Sequence, residues 1–262
     1  SWDPGANNEV SAIEVSGNTV FAGGGFTNIG GQTRKYIAAL DSTTGSAIAW
    51  NPVADNVVKT LTISGNTLFA GGIFLSIGKK EGRSKIAAID ATTGLVTAWS
   101  PGADNTVKTL AISGNTVYAG GVFSRIGGQA RRNIAALDAT SGLATDWNPE
   151  ANNEVNTLVV SNSRVYAGGT FTSIGGVTRE FIAALDTISG LATPLNLAAD
   201  KAIYTLSESA NTIYIGGEFT NLGGLSRQKI AALNSATGTV TAWNPGANGS
   251  VGSLHISDGK VY

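Results

Sequence analysis

The sequence predicts an all-β fold of the β-propeller type, built from four-stranded antiparallel blades, and three observations lead to it. A segment of the form Asn-Thr-Val-Tyr-Ala-Gly-Gly-Val-Phe recurs five times in 262 residues. The phenylalanines that follow its glycine pair lie at 26, 74, 123, 171 and 219, a step of 48 or 49 residues. Each period holds four short apolar stretches separated by turn residues, and none with helical periodicity. A fixed period of this length indicates one supersecondary unit in tandem, and four strands per unit are typical of propeller blades.

The third repeat shows the first two strands. Residues 107–113 alternate in polarity, which predicts a half-buried strand with Leu110 and Ile112 on one face. Ser113-Gly114-Asn115 is a turn sequence, so a hairpin to a second strand over residues 116–119 is expected. The glycine pair at 120 and 121 is expected to end that strand.

A longer loop over residues 122–132 leads to the third predicted strand, the apolar run 133–138. Residues 138–142 form a turn in which the Asp138 side chain can accept bonds from backbone amides two residues on. Residues 143–147 are the predicted fourth strand, which Pro149 ends because proline cannot continue a ladder. A β-solenoid, the competing architecture, requires shorter rungs of roughly 20–30 residues.

The fourth strand ends in tryptophan in most repeats, at Trp2, Trp50, Trp99, Trp147 and Trp243, with Leu195 in the fifth slot. Five complete units therefore run from Val10 to Pro245, flanked by the tail of a preceding fourth strand (1–9) and by two strands of a sixth unit (251–262). We predict one domain over residues 1–262 with six ring positions, and five blades with an extra hairpin as the alternative. Because the chain lacks methionine and stops inside a strand, it is expected to be a fragment of a longer repeat protein.

Composition excludes several classes of function. Charged residues are 13% and the net charge is −1, so the basic footprint of a nucleic-acid binder is missing. The absence of cysteine excludes disulfides, thiolate metal ligands and a cysteine nucleophile. No apolar run approaches the roughly 20 residues of a membrane span, so membrane insertion is not expected. The Thr-, Asn-, Gly- and Ser-rich composition favours a secreted or cell-surface protein.

Two families resemble the repeat. The order NPGANGSVGSLHISDGKVY (244–262), together with GGEFTNLGG (216–224) and Arg227, resembles the bacterial delta-sixty-type β-propeller repeat, and this resemblance covers the whole chain. It implies a bacterial surface or secreted repeat protein, and it supplies no catalytic residues. The run IAAIDATTGLVTAW (86–99) is similar to the third and fourth strands of quinoprotein-type propeller repeats.

Candidate binding residues fall into a regular and an irregular set. One arginine precedes the third strand of each repeat, at Arg34, Arg83, Arg131, Arg179 and Arg227. These arginines form a ring of charge for an anionic ligand, or they hold their own glycine-rich loops by bonding carbonyl oxygens, or they pair with a neighbouring carboxylate. Four positions break the repeat: Lys79, Lys80, Arg125 and Lys201. These residues either contact a partner or reflect sequence drift in exposed loops.

No catalytic or metal site is predicted. The aspartates at 41, 90, 138 and 186, with Asn234 in the fifth repeat, are explained by turn formation. The linkers around residues 5–10, 53–58, 102–107, 150–155, 198–203 and 246–251 carry Asn or Asp that could bind calcium, although side-chain capping explains them better. His255 is the single histidine and belongs to no recognisable triad. We expect no cofactor.

The sequence thus predicts a non-enzymatic, secreted or cell-surface propeller that serves as a structural or protein-interaction module. A multivalent carbohydrate-binding propeller is the alternative, since weak sites repeated in every blade gain avidity. A quinoprotein-like dehydrogenase is a third hypothesis from the enzyme class. The partner is expected to be a protein or a glycan, and the incomplete sixth blade is expected to support self-association.

Overall fold

The computed structural model describes residues 2–78 and 82–262, and all regular secondary structure in that part of the chain is β-strand. The predicted all-β class is therefore confirmed. Lys79 and Lys80, two of the predicted partner-binding positions, lie outside the described residues. Within the described ranges there is no helix that could cross a membrane.

Each of the five complete repeats forms a three-stranded sheet in the order first, second, third strand. The first strands are Val10–Ser16 (β1), Val58–Ser64 (β6), Val107–Ser113 (β9), Val155–Ser161 (β14) and Ile203–Ser209 (β19). The second strands are Thr19–Gly24 (β2), Thr67–Gly72 (β7), Thr116–Gly121 (β10), Arg164–Gly169 (β15) and Thr212–Gly217 (β20). The third strands are Ile37–Asp41 (β5), Ile86–Asp90 (β8), Ile134–Asp138 (β13), Ile182–Asp186 (β18) and Ile230–Asn234 (β23).

The predicted hairpin turn joins the first two strands. In the first repeat Ser16 pairs with Thr19 across Gly17 and Asn18, and Gly17 has φ +56°. A left-handed residue at this point matches the twist of the flanking strands. In the fourth repeat Asn162 and Ser163 take φ values of 51° and 57°, which gives the same tight turn without glycine.

The glycine pair lies inside the second strand rather than after it, which corrects the predicted end. In the second repeat, a Cβ atom on Gly71 would lie 2.7 Å from Cγ1 of Val107 in the next repeat. A Cβ on Gly72 would overlap the carbonyl oxygen of Val57. The pair therefore continues the strand because only glycine allows neighbouring chains to approach this closely.

The third strand begins one residue later than predicted. Asn133 has φ +62°, so the strand starts at Ile134, and the residue before the third strand is left-handed in every repeat: Tyr36, Lys85, Asn133, Phe181 and Lys229. This residue still bonds to the loop, since the Tyr36 amide donates to the Phe26 carbonyl oxygen at 2.9 Å. A left-handed residue there turns the chain out of the loop and into the strand.

The predicted fourth strand is reduced to one bridging pair per repeat: Leu40–Ala47, Ile89–Val96, Leu137–Ala144, Leu185–Ala192 and Leu233–Val240. The amides explain why. In the third repeat the Ala144 amide donates to the Gly127 carbonyl of the loop, whereas the Thr145 amide donates to Ala136 of the third strand. Because successive amides bond to different segments, no continuous ladder forms, and the four-stranded blade is a three-stranded sheet with one bridged segment beside it.

The long loop contains a small hairpin that was not predicted. In four repeats two-residue strands flank its glycines: Asn28–Ile29 with Gln32–Thr33 (β3, β4), Arg125–Ile126 with Gln129–Ala130 (β11, β12), Ser173–Ile174 with Val177–Thr178 (β16, β17), and Asn221–Leu222 with Leu225–Ser226 (β21, β22). Gly127 and Gly128 have φ values of +61° and +79°. The second glycine pair thus forms the turn of this small hairpin.

Tryptophan joins consecutive repeats. The Trp99 ring packs edge-on against Phe69 of its own repeat, with 5.0 Å between centroids and 78° between planes. Its Nε1 donates to the carbonyl oxygen of Asp138, at the end of the next repeat's third strand, at 2.9 Å. Trp50 makes both contacts in the same way, with Phe21 and with the Asp90 carbonyl oxygen. An indole that stacks at one end and donates at the other fixes the spacing between two repeats.

The chain divides into two compact units. The first comprises Ser1–Val117, Phe123–Ala130 and Leu137–Ala144, and the second Tyr118–Val122, Arg131–Ala136 and Thr145–Tyr262. Each has its own buried cluster, centred on Phe74 and Trp50 in the first unit and on Phe219 and Tyr166 in the second. The second unit also holds the last hairpin, Ile256–Ser257 with Lys260–Val261 (β24, β25). The number of ring positions stays a prediction.

Candidate binding clefts between repeats

The second unit holds an open cleft of about 810 Å³ between the linker that follows Trp147 and the small hairpin of the fourth repeat. Its lining includes Arg132, Asn148, Glu150, Asn152, Val177 and Leu191. We call it the linker cleft. The first unit holds a cleft of about 410 Å³ at the equivalent place, lined by Thr27, Lys35, Tyr36, Val53, Ala54, Asp55 and Ser76.

One side of each cleft is fixed by a side chain of the linker. Oδ1 of Asn152 accepts hydrogen bonds from the amides of Thr172 at 2.8 Å and Ser173 at 3.0 Å. Its Nδ2 donates to the Thr172 hydroxyl at 2.8 Å. The residues at this position in the other linkers bond to the next loop in the same way: Asn7, Asp55, Asp104 and Asp200. In these five linkers the Asn or Asp is therefore a cap that ties the linker to the following loop.

In two of the aspartate caps, Asp200 and Asp104, the hydrogen bonds lower the pKa of the carboxyl group. Desolvation raises the pKa of Asp200, but hydrogen bonds from the Thr220 hydroxyl and from the Asn221 and Thr220 amides outweigh it and hold that pKa far below its usual range. The pKa of Asp104 is lowered in the same way, by Ser124 and Arg125 against desolvation. These carboxylate oxygens are already occupied by donors. Among residues 2–78 and 82–262, no three His, Cys, Asp or Glu side chains come together to hold a metal ion.

Both clefts occur where a side chain replaces a linker glycine. Gly5, Gly102 and Gly246 have positive φ, as do Glu150 at 47° and Val53 at 49° at the corresponding positions of their linkers. A left-handed backbone is unusual for glutamate and more so for a β-branched residue, and such strain clusters at functional positions. In the fourth repeat the opposite wall carries exposed apolar side chains, with Val177 45% and Leu191 62% exposed. The linker cleft therefore combines a charged linker with an apolar rim.

The five recurrent arginines hold carbonyl oxygens of their own repeats. One Nη2 atom per arginine donates to the carbonyl fourteen residues on: Arg34 to Ile48, Arg83 to Thr97, Arg131 to Thr145, Arg179 to Thr193 and Arg227 to Thr241. Arg34 is only 8% exposed. Each arginine thus ties the loop to the bridged fourth segment, and its Nη2 proton is engaged before any ligand arrives.

The third-strand aspartates form turns. Oδ1 of Asp138 accepts bonds from the amides of Thr140 and Ser141 and from the Ser141 hydroxyl. These donors, the Ser141 amide first, lower the pKa of Asp138. Asp41, Asp90 and Asp186 accept the same set of bonds, and Asn234 does so in the fifth repeat.

The irregular residues lie on loops and linkers. Arg125 has an exposed side chain in the small hairpin of the third repeat, and its backbone amide donates to Asp104. Lys201 is exposed and directly follows the capping Asp200. His255 is exposed, and its backbone pairs with that of Tyr262. Arg125 and Lys201 each lie beside a linker cap, whereas His255 has no carboxylate or hydroxyl partner among the described contacts.

Sequence reasoning missed a polar network where Leu195 replaces tryptophan. Leu195 packs against Gly238, and Tyr166, fully buried, donates its hydroxyl to the Ser235 carbonyl oxygen. Arg164 adds bonds from Nη1 to the carbonyl oxygens of Ser235 at 2.8 Å and Ala236 at 2.9 Å. Desolvation raises the pKa of Tyr166. The signal was present in the sequence, since Arg164 stands where the other second strands begin with threonine.

The comparisons with known proteins concern the fold. No protein-family model matches the sequence, and no curated protein matches it. Among solved structures, the computationally designed Ika8 protein aligns over 98% of this chain and 68% of its own, with a TM-score of 0.61 and 20% identity. The WD40 domain of Neurospora crassa Pan2 aligns over 88% of this chain and 64% of its own, with a TM-score of 0.58 and 12% identity.

A chain of the mitotic checkpoint complex aligns over 90% of this chain and 66% of its own, with a TM-score of 0.60 and 16% identity. This chain therefore spans slightly less than two thirds of the length of the last two structures. The neighbours are WD40 and designed propellers, so the predicted β-propeller class is confirmed, and at these identities the likeness shows the fold alone.

Proposed function

We propose that this chain is a non-enzymatic protein-interaction module of the bacterial delta-sixty type, secreted or displayed on the cell surface. In this proposal the linker cleft of the fourth repeat is its binding surface. The observation that carries it is the strained Glu150, which replaces a linker glycine and lines the linker cleft. A propeller fold is consistent with a protein-interaction module, because its strands form the scaffold and its loops are free to vary.

The composition of the cleft favours a protein partner. Its rim carries Val177 and Leu191, which supply the apolar anchor that most protein interfaces use, next to Arg132 and Glu150 for polar contacts. The cleft is open and lies between loops, which suits an extended peptide segment better than an enclosed small molecule.

The carbohydrate alternative depends on recurrent aromatic, arginine and asparagine side chains. The repeat phenylalanines are fully buried, the tryptophans of the first three repeats are 4–5% exposed, and the arginines bond carbonyls. A sugar site would need exposed aromatic faces, so these residues give it little support. A glycan array with the intact chain tests it directly, and binding to any sugar class would replace the protein-partner proposal.

The dehydrogenase hypothesis has still less support. A quinone-dependent enzyme requires a metal ion beside its cofactor, and the residues described here offer no cluster of acidic side chains to bind one. The spectrum of the purified protein after incubation with the quinone and calcium tests this hypothesis.

Site-specific photocrosslinking tests the proposed surface. A photoreactive amino acid placed at Val177, at the rim of the linker cleft, should trap a partner protein when the producing cells are irradiated. The same residue at Ile188, which is 88% exposed in a turn of the same repeat and does not line the cleft, is the matched control. Glu150→Arg should abolish the adduct at Val177. Equal adducts at both sites, or an adduct insensitive to Glu150→Arg, would refute the assignment of the cleft.

A further inference from the structure

The linker before the last hairpin contains Asn248-Gly249, the only Asn-Gly step in the sequence. Asn248, Gly249 and Ser250 are all exposed. A Cβ built on Gly249 would meet no atom within 4 Å, so the backbone there has open space around it. Neither residue makes a hydrogen bond among the described contacts of this linker.

We propose that Asn248 is a site of spontaneous deamidation. The backbone nitrogen of Gly249 gives up its proton and attacks Cγ of Asn248, forming a C–N bond as the side-chain amide leaves as ammonia. The resulting succinimide is hydrolysed by water at either of its two carbonyls. The products are aspartate and isoaspartate, in which the chain continues through the former side chain. Carbon and nitrogen keep their oxidation states, so water is the only co-reactant.

The other linkers show why the reaction is confined to this one. Asn248 aligns with Asn7, Asp55, Asp104, Asn152 and Asp200. Asn7 and Asn152 are each followed by asparagine, and their Oδ1 atoms accept amides of the next loop. Asparagines also lie one place later in four linkers, at 8, 56, 105 and 153, where the following residues are Glu9, Val57, Thr106 and Glu154. In each case the amide of the following residue donates its proton to the asparagine Oδ1, at 2.7–2.9 Å. A nitrogen that must lose its proton to attack is protected by that bond. A side chain on the following residue also restricts the backbone rotation that brings the two atoms into line.

Modification at this point changes how the last hairpin is held. Three residues after Asn248, the Val251 amide donates to the Gly217 carbonyl oxygen at 3.2 Å. The Val251 side chain packs over Gly216, where a Cβ atom would lie 2.5 Å from Cγ1. Isoaspartate inserts one extra backbone carbon into the linker, and both products add a negative charge. We therefore expect Val251 to lose its contacts with Gly216 and Gly217, and the strands β24 and β25 to be less firmly held.

Incubation of the intact chain at mildly alkaline pH, followed by proteolysis and mass spectrometry, tests the proposal. The Asn248 peptide should gain the mass of the amide-to-acid change and split into aspartate and isoaspartate forms. It should do so roughly fivefold faster or more than the peptides of Asn105 and Asn153, given the greater freedom of glycine. Those asparagines serve as internal controls in the same molecule.

Two substitutions of the residue that follows the asparagine separate the effect of that residue from the effect of the position in the chain. Gly249→Val, which installs the residue found at 57, should slow the reaction at 248 to the rate of the controls. Glu154→Gly frees the backbone but keeps the amide bond to Asn153 Oδ1, so it should raise the rate at Asn153 without reaching that of Asn248. This change lies far from the last hairpin in sequence. Equal rates at 248, 105 and 153 in the wild-type chain, or no change in either variant, would overturn the proposal. Hydrogen exchange of residues 254–262 should rise in step with the modified fraction, and unaltered exchange would refute the expected loosening.

Discussion

Glu14 places a carboxyl group inside the packing between the first two repeats, and its replacement should stabilise the protein at neutral pH. It pairs across the sheet with Phe21 and so lies on the same face. Phe21 is 1% exposed and packs edge-on against Trp50 at 5.1 Å. Other repeats carry Thr62, Ala111, Val159 and Ser207 at this position. Desolvation raises the pKa of Glu14 from 4.5 to about 7.

The sign and size of the effect follow from this shift. Because the folded protein holds the Glu14 proton more tightly than the unfolded chain, the contribution of Glu14 to stability is most favourable below pH 4.5. It declines as the pH rises to about 7 and is then constant. The full shift corresponds to about 3 kcal/mol. The side chain keeps some contact with solvent, which screens the charge, so we expect about 1–2 kcal/mol.

Urea unfolding of wild type and Glu14→Thr across this pH range measures the difference. The gain in unfolding free energy should grow from pH 5 to pH 8 by about 1–2 kcal/mol, and Glu14→Gln, of similar size, should show the same trend. Effects of size and packing do not depend on pH, so the slope isolates ionisation. A difference between variant and wild type that is the same at every pH would show that the carboxyl group titrates as it does in water.

Three further predictions concern the joints between repeats. Trp99→Phe should cost about 1 kcal/mol of stability because the hydrogen bond to the Asp138 carbonyl oxygen is lost. Trp243→Phe should cost less, because the Trp243 indole nitrogen has no acceptor among the described residues. Equal losses of stability in thermal unfolding would contradict this. Arg164→Thr should cost about 1 kcal/mol, since the buried Ser235 carbonyl keeps only the Tyr166 donor and the exposed Ala236 carbonyl loses its bond to Arg164. A loss no larger than that of an exposed control, Arg125→Thr, would argue against the network. The last hairpin offers an unpaired strand edge, so the chain should associate with itself as its concentration increases. Light scattering should show this association, and Val261→Pro should suppress it. A monomer at every concentration would refute the prediction.

Much of the fold was predictable because it is local. The hairpin turn, the aspartate turn and the three main strands each depend on a few adjacent residues, and five copies repeat the same signal. The fourth strand was predicted too long because its amides divide their bonds between the loop and the third strand, as Ala144 and Thr145 do. Alternation of polarity cannot show that division.

The candidate site was less predictable because it depends on how one repeat meets the next. The recurrent arginines were recognised as a set, and the alternative that they bond their own loops describes the contacts that the structure shows. The cleft at Glu150 required the left-handed backbone of the linker to be known. The Tyr166 network joins residues about 70 positions apart, a separation at which no sequence pattern relates a tyrosine to a serine carbonyl.

The first glycine of a pair leaves room for a side chain of the next repeat. Gly23, Gly71, Gly168 and Gly216 each face a Val or Ile side chain that opens the following repeat, at distances where no Cβ atom would fit. In the joints made by Gly23, Gly71 and Gly168 both partners belong to strands, so these three contacts do not depend on loop residues. A duplicated repeat would therefore carry both partners of this contact, the glycine and the Val or Ile side chain. The array can thus lengthen by unequal exchange of whole repeats while every loop remains free to diverge.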